Sequence, residues 1–316
     1  MRNDISRHKG RIKQIPIYLG KMFRMFVYMN DWKVIPMAAV ISGLVAYVVG
    51  KNMFITMEGT IKAALALSCV CIWNGCFNSI QVVCRERDII KREHRDGMHI
   101  TSYIAAHMIY QAFLCLLQTI VTIAVCKYAG VPFKTDGFIT TSFSLDFGVT
   151  VFLITYAADM LALAISSCVR TTTAAMTIMP FILIFELLFS GSMFGLSGTA
   201  AKLTDYSIAK WGINAMCAQA DYNSLQMVSV WNQLYKFKDA KIEGTDLAPV
   251  KEFMDYVIKE GKAQELCFWM GKNSQEPDYA RTRGNIMQCW VSLAMFAVIF
   301  AVIALLFLER IDKDKR

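Results

Sequence analysis

The stretch Arg85-Glu86-Arg87-Asp88-Ile89-Ile90-Lys91-Arg92-Glu93-His94-Arg95-Asp96 decides how this chain folds. It is a dense run of charges of both signs, set between two apolar segments long enough to cross a bilayer. Charge at that density is too costly to leave in hydrocarbon, so the run lies in water or under protein. Five of its residues are Lys or Arg, which assigns that water to the cytoplasm.

Outward from this run, the apolar residues are blocked into long stretches. The chain is 55% hydrophobic with a mean hydropathy of +0.40. Composition alone leans only slightly towards a membrane protein, and the blocking makes the case. Against the ~20 residues that span about 30 Å of hydrocarbon, six segments qualify: Val34–Gly50, Ala63–Val83, Ile104–Val125, Phe147–Val169, Ala174–Leu196 and Ile286–Leu308. The first apolar run comes late and no small-residue cleavage site follows it, so the N-terminus does not read as a secretory signal.

The tails and connections set an orientation. The N-terminal tail carries Arg2, Arg7, Lys9, Arg11, Lys13, Lys21 and Arg24, and the C-terminal tail ends Lys313-Asp314-Lys315-Arg316. Arg170 lies between the fourth and fifth segments, on the same side. The opposite short connections hold only Lys51 and Lys62, and Lys127 and Lys134. Both termini are therefore expected in the cytoplasm, as six crossings also require. The net charge of +8 is spread over tails and loops, which suits anionic lipid better than nucleic acid, since no basic stripe with interleaved aromatics forms.

The expected fold is an all-α polytopic membrane protein of six transmembrane helices. Residues 1–32 form a cytoplasmic tail and a helix, with Gln14 to Tyr28 mixing aromatics and spaced cations. That stretch either lies in the interface or extends the first span, and the break at Asn30-Asp31-Trp32 favours the interface. Residues 33–196 hold five spans and a cytoplasmic helix over 85–97; residues 286–308 are the sixth span and 309–316 a cytoplasmic tail. Residues 197–285 form a partly helical extracellular loop domain. Within it Asp246 to Lys259 reads as a capped amphipathic helix with Pro249 in its first turn. The loop has no Asn-x-Ser/Thr sequon, which favours a bacterial source; a multi-pass protein of the plasma membrane is expected.

Catalytic patterns are absent from this sequence. Nothing fits G-x-x-x-x-G-K-[ST], so ATP hydrolysis by that route is not expected here. The four histidines, His8, His94, His99 and His107, are scattered and no zinc pattern appears. Eight of ten cysteines sit in or beside spans as small apolar residues; Cys217 and Cys267 fall in the loop domain, where an oxidising exterior would allow a disulfide.

Polar residues inside the spans are the remaining candidates. Asp159 and Glu186 are acids at membrane depth, and such groups either serve proton coupling or substrate contact, or fasten neighbouring helices. Asn74, Asn78 and Gln81 follow i, i+4, i+7 spacing and share one helical face. That face either lines a pathway or holds helices together, because unpaired amides in lipid are costly.

At these residues the chain resembles the membrane domain of the ABC-2 type transporters, in the ABCG-like branch that includes bacterial permeases related to FHA-domain ABC proteins. Ser79, Glu86-Arg87-Asp88-Ile89, Arg92-Glu93, Gly97 and Tyr103 are similar to the family's passage from second to third span. Gln81-Val82 departs from it, since bacterial relatives often carry Arg-Glu there. Met179-Pro180-Phe181 with Leu188-Phe189-Ser190-Gly191 looks like the family's fifth span, although Glu186 stands where relatives often have Gln or an apolar residue. Ala209-Lys210-Trp211-Gly212-Ile213-Asn214-Ala215 is similar to the Arg-Trp-x-x-x-Ala signature that follows.

The resemblance implies the permease half of an ATP-driven transporter, with ATP and Mg²⁺ on a separate ATP-binding subunit and a second permease half completing the pathway. It implies that 85–97 is a coupling helix, with Glu86, Arg87, Ile89, Ile90, Arg92 and Glu93 meeting the ATPase. It implies Cys71, Asn74, Asn78, Ile184, Leu187 and Met193 as candidates for the central cavity. The family mostly exports lipids, drugs, peptides or polysaccharides. The alternative is a proton-coupled carrier using Asp159 and Glu186, for which inverted internal repeats are expected and none is visible.

Overall fold

A computed structural model describes residues 10–28, 31–237 and 248–310. His8, the outer parts of both tails and the Asp246-Leu247 start of the amphipathic loop helix lie outside the described residues. Regular structure among the described residues is helical, with only two isolated bridges, Thr56 to Gln226 and Asp136 to Ser142.

The chain opens with α1 (Arg11–Tyr28), α2 (Val34–Val49), α3 (Met57–Ser79), α4 (Val82–Arg95), α5 (Ile100–Tyr128), α6 (Phe143–Cys168) and α7 (Thr172–Leu188). Then follow the shorter α8 (Thr199–Leu203), α9 (Ile208–Gln219), α10 (Ser229–Phe237), α11 (Ala248–Lys259) and α12 (Ala263–Lys272), and finally α13 (Arg283–Leu308). Five stretches are long and apolar enough to cross a membrane: Val34–Asn52, Met57–Arg95, Ile100–Tyr128, Phe143–Cys168 and Arg283–Leu308. The chain is thus a multi-pass helical membrane protein.

The expected fifth span is shorter than its composition. α7 has 17 residues, a rise of about 25 Å at ~1.5 Å per residue. The apolar stretch continues to Leu196, but the helix stops at Leu188 and Gly191 takes φ 76°, a left-handed value that turns the chain. Hydropathy counts those residues; the backbone does not continue through them.

The long Met57–Arg95 stretch breaks at Ile80-Gln81. Gln81 therefore leaves the helical face it was expected to share with Asn74 and Asn78 and becomes the residue before α4. The far end of α4 closes in a Schellman turn. Gly97 N–H donates to His94 O, Met98 N–H donates to Glu93 O, and Gly97 sits at φ 100°.

α3 and α6 form the centre of the bundle. They approach closely because Gly75 has no side chain; a Cβ there would collide with the Thr155 carbonyl oxygen and stand 2.9 Å from Asp159 N. α1 lies along α5. Tyr18 meets Tyr103 edge-on at 5.9 Å, Phe23 meets Tyr110 and Phe113, and the Gln14 amide bridges Gly97 O and His99 N. At the other end of the bundle, Phe54, Phe133, Phe143 and Phe147 cluster and tie two connections to the start of α6.

The segment 197–285 does not stand apart as a single soluble loop. α9 is buried along nearly its whole length and packs on α3, α6 and α13. Gln219 donates to Asp146 O and to Thr150 Oγ1, and Trp290 Nε1 donates to the same Thr150 hydroxyl at 2.8 Å. α9 is therefore a core element, while α10 to α12 form the outer layer with exposed Phe253, Tyr256 and Trp269.

Candidate functional sites

The α4 helix is anchored on one side and open on the other. Its first N–H groups have no acceptor within their own helix, and Gln81 supplies no side-chain cap. Ser166 of α6 supplies one: its Oγ accepts from Val83 N at 3.1 Å and Cys84 N at 3.2 Å. Arg87 then donates to the carbonyls of Ser167 and Val169, at the C-terminal end of α6 where the helix dipole favours a cation. Lys21 of α1 sits 3.2 Å from Glu93 Oε1 and 3.8 Å from Glu86 Oε2. Burial and the Glu93 carboxylate together hold the Tyr18 phenol above its usual pKa.

These contacts divide the six expected coupling residues. Glu86, Arg87, Glu93 and the buried Ile90 face inward and fix α4 to α1 and α6. Ile89, 41% exposed, and Arg92 face outward. Arg85 and Asp88 join them on that face at helical spacing, two residues that sequence reasoning had not singled out. Ser166, which caps α4, is not legible in the sequence, where nothing distinguishes it from the neighbouring Ser167.

The intramembrane candidates separate in the same manner. Cys71 and Asn74 are buried inside this chain. Asn78 is half-buried and forms a reciprocal amide pair with Gln118 of α5, both bonds 3.0 Å. Ser79 accepts from Gln111 Nε2 at 2.8 Å. Asp159 is fully buried beside this cluster; its Oδ2 accepts from Cys115 Sγ at 3.3 Å and its Oδ1 has no hydrogen-bond partner. By contrast Ile184 and Met193 are each 53% exposed, and Leu187 is half-buried. Of the six expected pathway residues, three lie on α3 inside the bundle and three on or just beyond α7.

Glu186 has a definite partner set. Its Oε2 accepts from Ser207 Oγ at 2.8 Å and from Ala209 N at 2.9 Å. It therefore closes the N-terminus of α9, where a carboxylate complements the helix dipole. No hydrogen bond or ion pair joins it to Asp159 among the described residues. Cys217 and Cys267, the pair that an oxidising exterior would allow to bridge, are not joined in the structure. Both thiols are free and buried, one inside α9 and one in α12. Burial raises the Cys267 thiol above its usual pKa.

Fold and sites together define a multi-pass helical membrane domain with a charged helix braced across one end. Residues 14–219 match the profile of the ABC-2 type transporter family, from α1 through α9. The chain belongs to that family. Over 154 residues, 48% of its length, it is 29% identical to the ABC transporter ATP-binding/permease protein Rv1747 of Mycobacterium tuberculosis. The match covers 18% of that relative, a little under a fifth of its length.

Proposed function

We infer that this chain is the transmembrane half of an ATP-driven ABC-2 type exporter, moved by a separate ATP-binding subunit that carries the ATP and Mg²⁺. The observation that carries this reading is the two-sided build of α4. Its inward face is locked to α1 and to the end of α6 through Lys21, Ser166 and Arg87. Its outward face offers Arg85, Asp88, Ile89 and Arg92, charges of both signs around one aliphatic side chain. A push on that face passes to α3 and α6 as a rigid-body displacement.

The relative's printed name joins ATP binding to a permease, which supports an ATPase partner. With α7 counted as the remaining crossing, six spans put both termini on one side. The Lys and Arg of the tails and of α4 make that side the cytoplasm of a bacterial plasma membrane. α1 then lies at the inner interface, and α10 to α12 lie outside. The exposed apolar residues Phe181, Ile184 and Leu188 of α7, with Met193 beyond it, suit a second permease half and a pathway between the two. The proton-carrier alternative loses Glu186 to the capping of α9 and keeps only Asp159.

The test is co-expression with an ATP-binding subunit, followed by ATPase and transport assays in proteoliposomes. The expected result is a stable complex that hydrolyses ATP only when both chains are present. Ile89→Asp with Arg92→Glu should weaken that complex and leave the thermal stability of the permease unchanged. Transport driven by a proton gradient without nucleotide would overturn the reading.

A further inference from the structure

The start of α1, the start of α5 and the end of α13 meet around one cleft of about 350 Å³. That is room for roughly twelve waters at ~30 Å³ each. Arg11, His94, His99, Thr101 and Glu309 line it with polar side chains. His94 is held in place, its Nδ1 donating to the Met98 carbonyl at 3.0 Å. The other four are not. Among the described residues the Arg11 guanidinium, the His99 ring, the Thr101 hydroxyl and the Glu309 carboxylate have no hydrogen-bond or ion-pair partner. Arg11 and Glu309 share the cleft and still do not pair with each other. Both are exposed, and His99 and Thr101 are half-buried, so a ligand can reach all four.

The mixture of charges limits what fits. A guanidinium, an imidazole and a hydroxyl donate to phosphate oxygens, and a carboxylate accepts from an ammonium. A bare anion would meet Glu309 and a bare cation would meet Arg11, whereas a zwitterion suits both. The place in the membrane supplies the rest. α13 has 26 residues, a rise of about 39 Å at ~1.5 Å per residue, so it outreaches a hydrocarbon layer of about 30 Å. Glu309 is the first charge after the Ile286–Leu308 apolar run, which sets it and the cleft at the level of the headgroups. We propose that this cleft binds the phosphoethanolamine headgroup of a membrane lipid, its phosphate on Arg11, His99 and Thr101 and its ammonium on Glu309. The site uses neither the outward face of α4 nor the residues expected along the pathway, so it stands or falls apart from the proposed function.

Native mass spectrometry of the full chain in detergent counts bound lipid directly. Dioleoyl phosphatidylethanolamine, phosphatidylglycerol and phosphatidylcholine, supplied at equal mole fractions, share their chains and phosphate and differ only beyond it. The expected result is phosphatidylethanolamine bound about tenfold more tightly than either rival, the scale of one hydrogen bond to a charged group. Glycerol brings no cation, and choline no N–H donor. Glu309→Gln should weaken phosphatidylethanolamine binding about tenfold without weakening that of phosphatidylglycerol, and Arg11→Gln should weaken all three severalfold. Both variants should keep the thermal midpoint of the parent; a fall would mean that the side chain belongs to the fold, against the proposal. Soluble glycerophosphoethanolamine should compete only at far higher concentration than the lipid. Equal competition would give the cleft to a soluble ligand and overturn the lipid assignment. Equal binding of the three lipids, or no effect of either substitution, would overturn the site itself.

Discussion

The Glu186 carboxylate of α7 accepts the Ala209 amide of α9 at 2.9 Å, so an acid at membrane depth serves as the cap of a second helix. The bond is buried, and Ser207 Oγ joins it on the same oxygen. Glu186→Leu leaves the Ala209 N–H and the Ser207 hydroxyl without their acceptor. The expected loss is ~1–3 kcal/mol, the cost of stranding buried polar groups. Glu186→Gln keeps an acceptor oxygen and should lose less. Thermal unfolding of the purified variants reads both, and an unaltered midpoint in Glu186→Leu would show that α9 does not depend on this carboxylate.

Gly75 makes a second stability prediction. Alanine there drives a methyl group into the Thr155 carbonyl and the Asp159 amide, both backbone atoms that cannot turn aside. Overpacking of this kind costs ~1–3 kcal/mol and is felt as a shift of α3 against α6. Gly148→Ala meets only the Cδ1 of Ile123 at 2.9 Å, the far end of a flexible side chain. The first variant should unfold at a clearly lower temperature than the second. Equal midpoints would mean that the α3–α6 spacing is looser than described.

These two residues also show where sequence reading succeeds and where it stops. The long apolar blocks and the charged interruption at 85–96 are visible because they are contiguous, and α2 to α6 and α13 follow from them. The end of α7 was placed too late because apolar composition runs on past Leu188 while Gly191 turns the backbone. α9 read as loop because its 12 residues have mixed composition, and only α3, α6 and α13 around it make it core. The faces of α4 were not legible either. Glu93 turns inward because Lys21 arrives from 72 residues away, a pairing with no local signature. The small residues of 212–220, Gly, Ala and Cys among them, were the one available hint that α9 is tightly packed.

Orientation can be read from a single thiol. Among the ten cysteines Cys168 alone is exposed, at the end of α6 beside α4. A membrane-impermeant maleimide should therefore label inverted vesicles and not right-side-out ones, and Cys168→Ser should abolish the signal. Labelling from the outside would reverse the proposed topology. In denaturant without reductant all ten thiols should react; two that react only after reduction would restore the Cys217–Cys267 bridge.

Asn78 and Gln118 distinguish helix fastening from a role in transport. Each amide donates to and accepts from the other at 3.0 Å, so removing one strands its neighbour. Interhelical hydrogen bonds inside membranes average ~0.6 kcal/mol and reach ~1.7. Asn78→Leu and Gln118→Leu should each cost more than that average, since the remaining amide loses its amide partner. The double Leu variant removes both groups and should be less destabilised than the sum of the singles, by an interaction energy of roughly 0.5–2 kcal/mol. Thermal unfolding of the four proteins measures that coupling. If the pair only fastens α3 to α5, transport in the double variant recovers together with stability. If Asn78 also contacts cargo, stability recovers while transport stays low. Additive losses would mean that the two amides do not act as a pair.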